Sequence, residues 1–167
     1  RRAEDRAPAG VVALIATNAY GTYAVPRESM HRPAARMTLA GSIWERTTLD
    51  LVAERGSGGI VLHAGTYFGD FLPRLASLAN EVFAFEPNPR NFECAQMTVW
   101  LNQLENVALT HAGLSSSAGQ LSLRVADSGG RSLGGASSFV DAQDRQPLLA
   151  SRTVPVVQID EVVPADK

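Results

Sequence analysis

The order of apolar runs between residues 60 and 112 constrains this chain more than any other feature. Three short runs, Ile60–His63 (IVLH), Val82–Phe85 (VFAF) and Asn106–Thr110 (NVALT), alternate with two segments of helical spacing. The first helical segment, Phe71–Asn80, carries Phe71, Leu72, Leu75, Ala76, Leu78 and Ala79. Pro73 lies in its first turn, where the missing N–H costs little. The second opens at Asn88-Pro89, with Asn88 as N-cap and Pro89 at the first helical position. It runs to about Gln103, with Cys94, Met97, Leu101 and Leu104 on one face and Phe92, Ala95 and Val99 beside them. Strand-helix-strand-helix-strand with short links predicts a right-handed, doubly wound α/β unit with a parallel sheet. IVLH shows no polar alternation before His63, as expected of a parallel strand covered on both faces.

The flanks read differently. Residues 11–16 and 20–25 predict two short strands around Asn18–Gly21, a β arm. Residues 26–41, with Pro26, Pro33 and Gly41, predict an irregular continuation. Thr47–Arg55 predicts a helix capped by Thr47 and ended by Gly56. Beyond residue 112, Gln120–Val125 and Val154–Ile159 read as strands on either side of Asp127–Ser138, which is rich in Gly and Ser. No helix signal appears there, so 119–160 is expected to be an antiparallel excursion carrying a flap. The domain reading is an N-terminal arm over 1–46 and a ligand-binding portion over 47–167.

Composition excludes several classes. With 45% hydrophobic residues there is enough apolar material for a core. Fifteen basic residues face 17 acidic ones, net -2, which is no footprint for non-specific nucleic-acid binding. The single cysteine, Cys94, excludes an internal disulfide and a cysteine-built zinc site. No apolar run approaches the roughly 18 residues of a membrane span. VVALIA at 11–16 follows Glu4 and Asp5, which does not suit a signal peptide. The expectation is a domain of a reducing, cytoplasmic compartment, acting on a small molecule without nucleic-acid or membrane partners. The chain begins without Met, which reads as a trimmed chain or fragment.

In doubly wound sheets, ligands bind beyond the carboxyl ends of the strands. Gly65-Thr66-Tyr67-Phe68-Gly69 follows the first strand, and Glu86 ends the second, 21 residues after Gly65. An acid at about that distance accepts ribose hydroxyl protons in nucleotide-type sites. A dinucleotide fingerprint needs a glycine where Tyr67 stands, so that the backbone can approach a pyrophosphate. A GxxxG turn suffices for S-adenosylmethionine, which has no phosphate. Spacing therefore favours S-adenosylmethionine over NAD, with a dinucleotide oxidoreductase and a non-catalytic binding module as alternatives. A strand-helix turn with two glycines is also a common packing device, and Glu86 alone reads as a solvated strand-end acid. Their joint order favours function.

The segments GIVLHAGTYFGDFLPRLASL, VFAFEPNPRNFECAQMTVWLNQLENVALTHAGLSSSAGQLSL, GGRSLGGASSF and VPVVQIDEVV resemble the FkbM-type methyltransferases, and GSIWERTTLDLV resembles that family's stretch before the first strand. The likeness runs over about residues 41–163, with AFEPNP its most specific part. It implies a class I, Rossmann-like fold and S-adenosylmethionine-dependent methylation of a hydroxyl group on a sugar or secondary metabolite. Gly65, Thr66, Tyr67 and Gly69 match the turn that holds the methionine part. Glu86 matches the ribose acid, with Asn88 in the same motif. Ala112 and Gly113 match the stretch beside the adenine, and Glu45 the acid of the upstream arm. The family usually has an acid where His63 stands. A protonated His63 would repel the cofactor amino group, making affinity depend on pH. Asp70 is the candidate substitute, although an acid in a first turn is ordinarily a cap or dipole partner. The resemblance also implies that the sheet is cut after its third core strand, and that the substrate base lies in the missing portion, so that the chain alone is inactive.

Other residues carry less. His31 reads as solvated, His111 as structural and Cys94 as core. The serines at 115–117 and 128–138 lack a His/Asp partner pattern. No His/Asp/Glu spacing suggests a metal.

Overall fold

A computed structural model describes residues 9–140 and 150–164. The chain opens with a hairpin, β1 (Ala13–Asn18) and β2 (Gly21–Pro26), antiparallel from Ala13↔Pro26 to Asn18↔Gly21. Its strands begin one or two residues later than the sequence suggests. Residues 26–41 are not irregular: a short 3-10 turn over Arg27–Ser29 leads into helix α1 (Pro33–Leu39). Pro33 stands in the first turn of that helix, where proline is tolerated, and so opens it instead of breaking it. Helix α2 (Arg46–Gly56) follows. Its N-cap is Glu45, not Thr47, and no side chain closes it.

The alternating region folds as its order demands. Strands β3 (Ile60–Ala64), β4 (Glu81–Phe85) and β5 (Val107–Thr110) form a parallel sheet in that order. Helix α3 (Leu72–Leu78) crosses from β3 to β4, and helix α4 (Pro89–Leu101) from β4 to β5. Asn88 is the N-cap of α4, its Oδ1 accepting from Arg90 N at 3.1 Å. The register runs Leu62↔Phe83↔Ala108 across the sheet. β4 is buried from Val82 to Phe85, whereas β3 is not covered on both faces: Ile60 is 40% and Leu62 49% exposed. β3 is an edge strand in the described structure, so its apolar run reports only the face that α2 and α3 pack against.

Two cores result. One lies under the sheet, built from Leu49 of α2, Leu72 and Leu75 of α3, and Val82 and Ala84 of β4. The other joins the arm to the rest: Tyr23, Ala24 and Val25 of β2 pack with Ala35 of α1, Tyr67, Phe68 and Cys94 of α4. Burying a side chain such as Phe68 is worth roughly 1.5–3 kcal/mol. Polar pairs fix the arm's position. The Asn102 amide donates to Thr22 O and accepts from Thr22 N (2.6 and 2.9 Å), so it acts as a short strand beside β2. Thr98 Oγ1 accepts from Ala24 N and donates to Phe68 O (3.1 and 2.8 Å).

After β5 a second sheet of order β6-β9-β7-β8 forms the expected excursion. Its strands are β6 (Gly113–Leu114), β7 (Gly119–Arg124), β8 (Ser138–Phe139) and β9 (Ser151–Val157). β7 and β9 are antiparallel, whereas β6 runs parallel to β9. One helical turn, α5 (Ile159–Val162), occupies the end of the segment read as strand. No described helix is long and apolar enough to cross a membrane.

Candidate functional site

The site is built where β3 and β4 end. Phe85 O, at the last residue of β4, accepts from both Gly65 N (2.8 Å) and Thr66 N (3.0 Å). The glycine-rich turn is therefore stitched to the neighbouring strand before it enters α3. Gly65 and Gly69 take φ of 73° and 79°, which glycine adopts without a Cβ penalty. Tyr67 also has positive φ, 54°, a rare and costly state for a large residue.

Glu86 holds that turn. It is 4% exposed, and its Oε2 accepts from Tyr67 N at 2.8 Å. Its Oε1 accepts from Asn88 N at 2.8 Å and from Asn91 Nδ2 at 3.4 Å. Burial pushes the Glu86 carboxyl up to about 7, against these three donors, which favour the ionised form. Asn91, 2% exposed, is a site residue that sequence reading missed. Its signal was a third polar residue in the spacing Glu86-x-Asn88-x-x-Asn91, which places it one turn above the cap.

His63 Nδ1 lies 2.9 Å from Thr66 Oγ1, and its ring stacks on Phe71 at 5.5 Å between centroids. Burial pushes its pKa down to about 4. The ring is therefore neutral at pH 7, and the expected repulsion of a cationic ligand does not arise there. Asp70 is not the N-cap of α3; that position belongs to Phe71. Burial first, and then the charges of Glu45 and Glu86, push the Asp70 carboxyl up to about 7. Three carboxylates thus share one neighbourhood. Glu45 itself is exposed, at φ 47°, with Thr48 Oγ1 3.4 Å from its carboxylate.

Ala112 joins the same strand-end region, because Thr110 O accepts from both Glu86 N (3.1 Å) and Ala112 N (3.0 Å). Gly113 lies in β6 of the second sheet, against the tip of the Phe139 ring. His111 is exposed and stacks on Phe92 at 4.5 Å. Cys94 is fully buried, and burial pushes its thiol up to about 12, as a core residue requires. His31 sits in the arm, half-exposed.

No protein-family model matches the chain, and no curated protein does. Among solved structures it is similar to Trm5b from Pyrococcus abyssi, at 20% identity over 60% of this chain and 28% of that one, with a TM-score of 0.43. It is also similar to the methyltransferase FkbM from Methylobacillus flagellatus KT, at 14% identity over 65% of this chain and 23% of that one, with a TM-score of 0.41. The chain spans less than a third of the length of either protein.

Proposed function

We propose that residues 47–167 are the cofactor-binding portion of an S-adenosylmethionine-dependent methyltransferase acting on a hydroxyl oxygen of a small molecule, with residues 1–46 as its arm. The observation that carries this reading is Glu86, a buried acid at the end of β4 bonded to the backbone of a GxxxG turn at the end of β3. A ribose hydroxyl donor suits the acceptor capacity that its three donors within the chain leave, in a charge-assisted bond. Tyr67 supports the choice among nucleotide cofactors: its buried side chain stands where a dinucleotide site needs bare backbone. The carboxylates of Asp70 and Glu45 suit a ligand bearing an ammonium and a sulfonium. Asp70 is then the acid that stands in for the family residue replaced by His63.

On this reading Gly65, Thr66, Tyr67 and Gly69 shape the turn around the amino-acid tail, Glu86 and Asn88 fix the ribose side, and Ala112 and Gly113 flank the base. Bound there, the cofactor would supply an activated methyl group on a positively charged sulfur. The protein's part is alignment and exclusion of water. The acceptor's proton leaves to a base that this chain does not identify.

A second reading has one observation in its favour. Both Glu86 oxygens are already bonded within the chain, as they would be in a clamp that only shapes a loop. That fits a non-catalytic binding module. Titration calorimetry with S-adenosylmethionine, S-adenosylhomocysteine and NADH separates the readings. The first two should bind and NADH should not; binding of none would leave the clamp reading.

A further inference from the structure

We propose that residues 127–137 form a lid over the glycine-rich turn, and that Asn91 is the positioning residue coupling this lid to the carboxylate of Glu86. The lid is a folded body with its own bonds. The Asp127 carboxylate accepts from Gly129 N and Arg131 N, both at 2.9 Å. Leu133 N donates to Val125 O at 2.9 Å, and Gly134–Ala136 make one 3-10 turn.

The lid rests on the turn through glycines. A Cβ at Gly134 would stand 2.6 Å from the Tyr67 hydroxyl, and one at Gly135 would stand 3.1 Å from Tyr67 Cδ1. Only bare backbone approaches the Tyr67 ring this closely. The Tyr67 hydroxyl is buried there with the Ser29 hydroxyl nearby but no hydrogen bond of good geometry formed. An unsatisfied buried hydroxyl costs free energy, and Tyr67 also bears a left-handed backbone. Lifting the lid would let water reach that hydroxyl, so the closed form gives up part of its packing gain.

The contacts close a ring. Tyr67 N donates to Glu86 Oε2 (2.8 Å), Asn91 Nδ2 donates to Glu86 Oε1 (3.4 Å), and the same amide donates to Gly134 O (3.4 Å). Gly134 and Gly135 then return to Tyr67. Both Asn91 bonds are long, and the buried amide directs one N–H to each acceptor rather than to water. A ligand hydroxyl donating to Glu86 Oε1 competes with Asn91 and releases its amide to Gly134 O. Ligand on the acid then tightens the lid. The Ser29–Ser132 hydroxyl contact at 3.0 Å anchors the lid to the arm outside this ring.

The ligand arm of this inference rests on the proposed function; the link within the free protein does not. Amide hydrogen exchange on the whole chain tests both. In the free protein, Asn91→Ala should raise exchange at Leu133 by roughly five- to tenfold, the loss of one ordinary hydrogen bond, with the β7–β9 amides unchanged. Asn91→Thr removes the amide with almost no change of volume. Ser132→Ala should also speed lid exchange. S-adenosylhomocysteine should slow Leu133 exchange in the wild type and in Ser132→Ala, but not in the Asn91 variants. Unchanged Leu133 exchange in the free Asn91 variants overturns the link, as does an undiminished ligand response in them. If S-adenosylhomocysteine does not bind the wild type, the cofactor reading fails, and the free-protein comparison still decides the link.

Discussion

At the scale of single residues, the site is a balance of buried charge. Glu86 and Asp70 both titrate near 7, because burial disfavours their ionised forms. Ionised, they attract an ammonium group and accept hydroxyl protons better. Affinity for S-adenosylhomocysteine should therefore fall as pH drops from 8 to 6, by at most about tenfold per unit for each group. Glu86→Gln should weaken binding and leave only the Asp70 part of that dependence. His63 stays neutral down to about 4 and adds nothing in this range. Tyr67→Phe removes the unpartnered hydroxyl while keeping the backbone bond to Glu86. It should slow exchange of the lid amides; faster exchange would mean that the hydroxyl holds the lid. The acid and the turn were legible in the chain because both are local: a strand end, two glycines, a fixed spacing. The bonds from Glu86 to Tyr67 and Asn91 were not, because they depend on how β3, β4 and α4 meet.

At the scale of elements, α4 is the joint between arm, turn and sheet. Thr98, fully buried, satisfies Ala24 N of the arm and Phe68 O of the turn at once. Thr98→Val leaves both backbone groups unpaired in the core, and should cost roughly 2–4 kcal/mol in urea denaturation. Asn88→Ala removes only the cap bond of α4 and should cost about 1 kcal/mol. A Thr98 loss no larger than the cap loss would show that the arm is held by packing alone. The parallel unit was legible because apolar period and capping agree over 60–112. Helix α1 was not: it spans seven residues, and its proline reads equally as a breaker or a first-turn residue. The exposure of β3 was equally hidden, since an apolar strand looks the same whether one face or two are covered.

At the scale of the whole molecule, the same buried groups set stability against pH. Glu86 and Asp70, ordinarily 4.5 and 3.8, rise to about 7 in the fold, so the native state holds more protons than the unfolded one and stability falls as pH rises. His63, lowered from 6.5 to about 4, acts in the opposite direction. Between 4.5 and 6.5 these three groups leave a net native excess of about one proton, worth about 1.4 kcal/mol per pH unit. The urea midpoint should therefore be lower at pH 6.5 than at pH 5; a midpoint that rises over this range contradicts the burial of the two carboxyls. β3 presents Ile60 and Leu62 to solvent with a neighbouring strand on one side only among the described residues. Leu62→Lys should change stability by less than about 0.5 kcal/mol, in contrast to roughly 2–5 kcal/mol for Leu72→Ala in the core.

The central claim is that Glu86 holds the ribose of a phosphate-free nucleoside cofactor against the glycine-rich turn. Calorimetric titration of wild type and Glu86→Ala with S-adenosylhomocysteine at pH 8 tests it directly. Saturable binding to the wild type is expected, with a loss of roughly 1.5–3 kcal/mol in the variant for each charge-assisted bond removed. Equal affinity in the two proteins would contradict it.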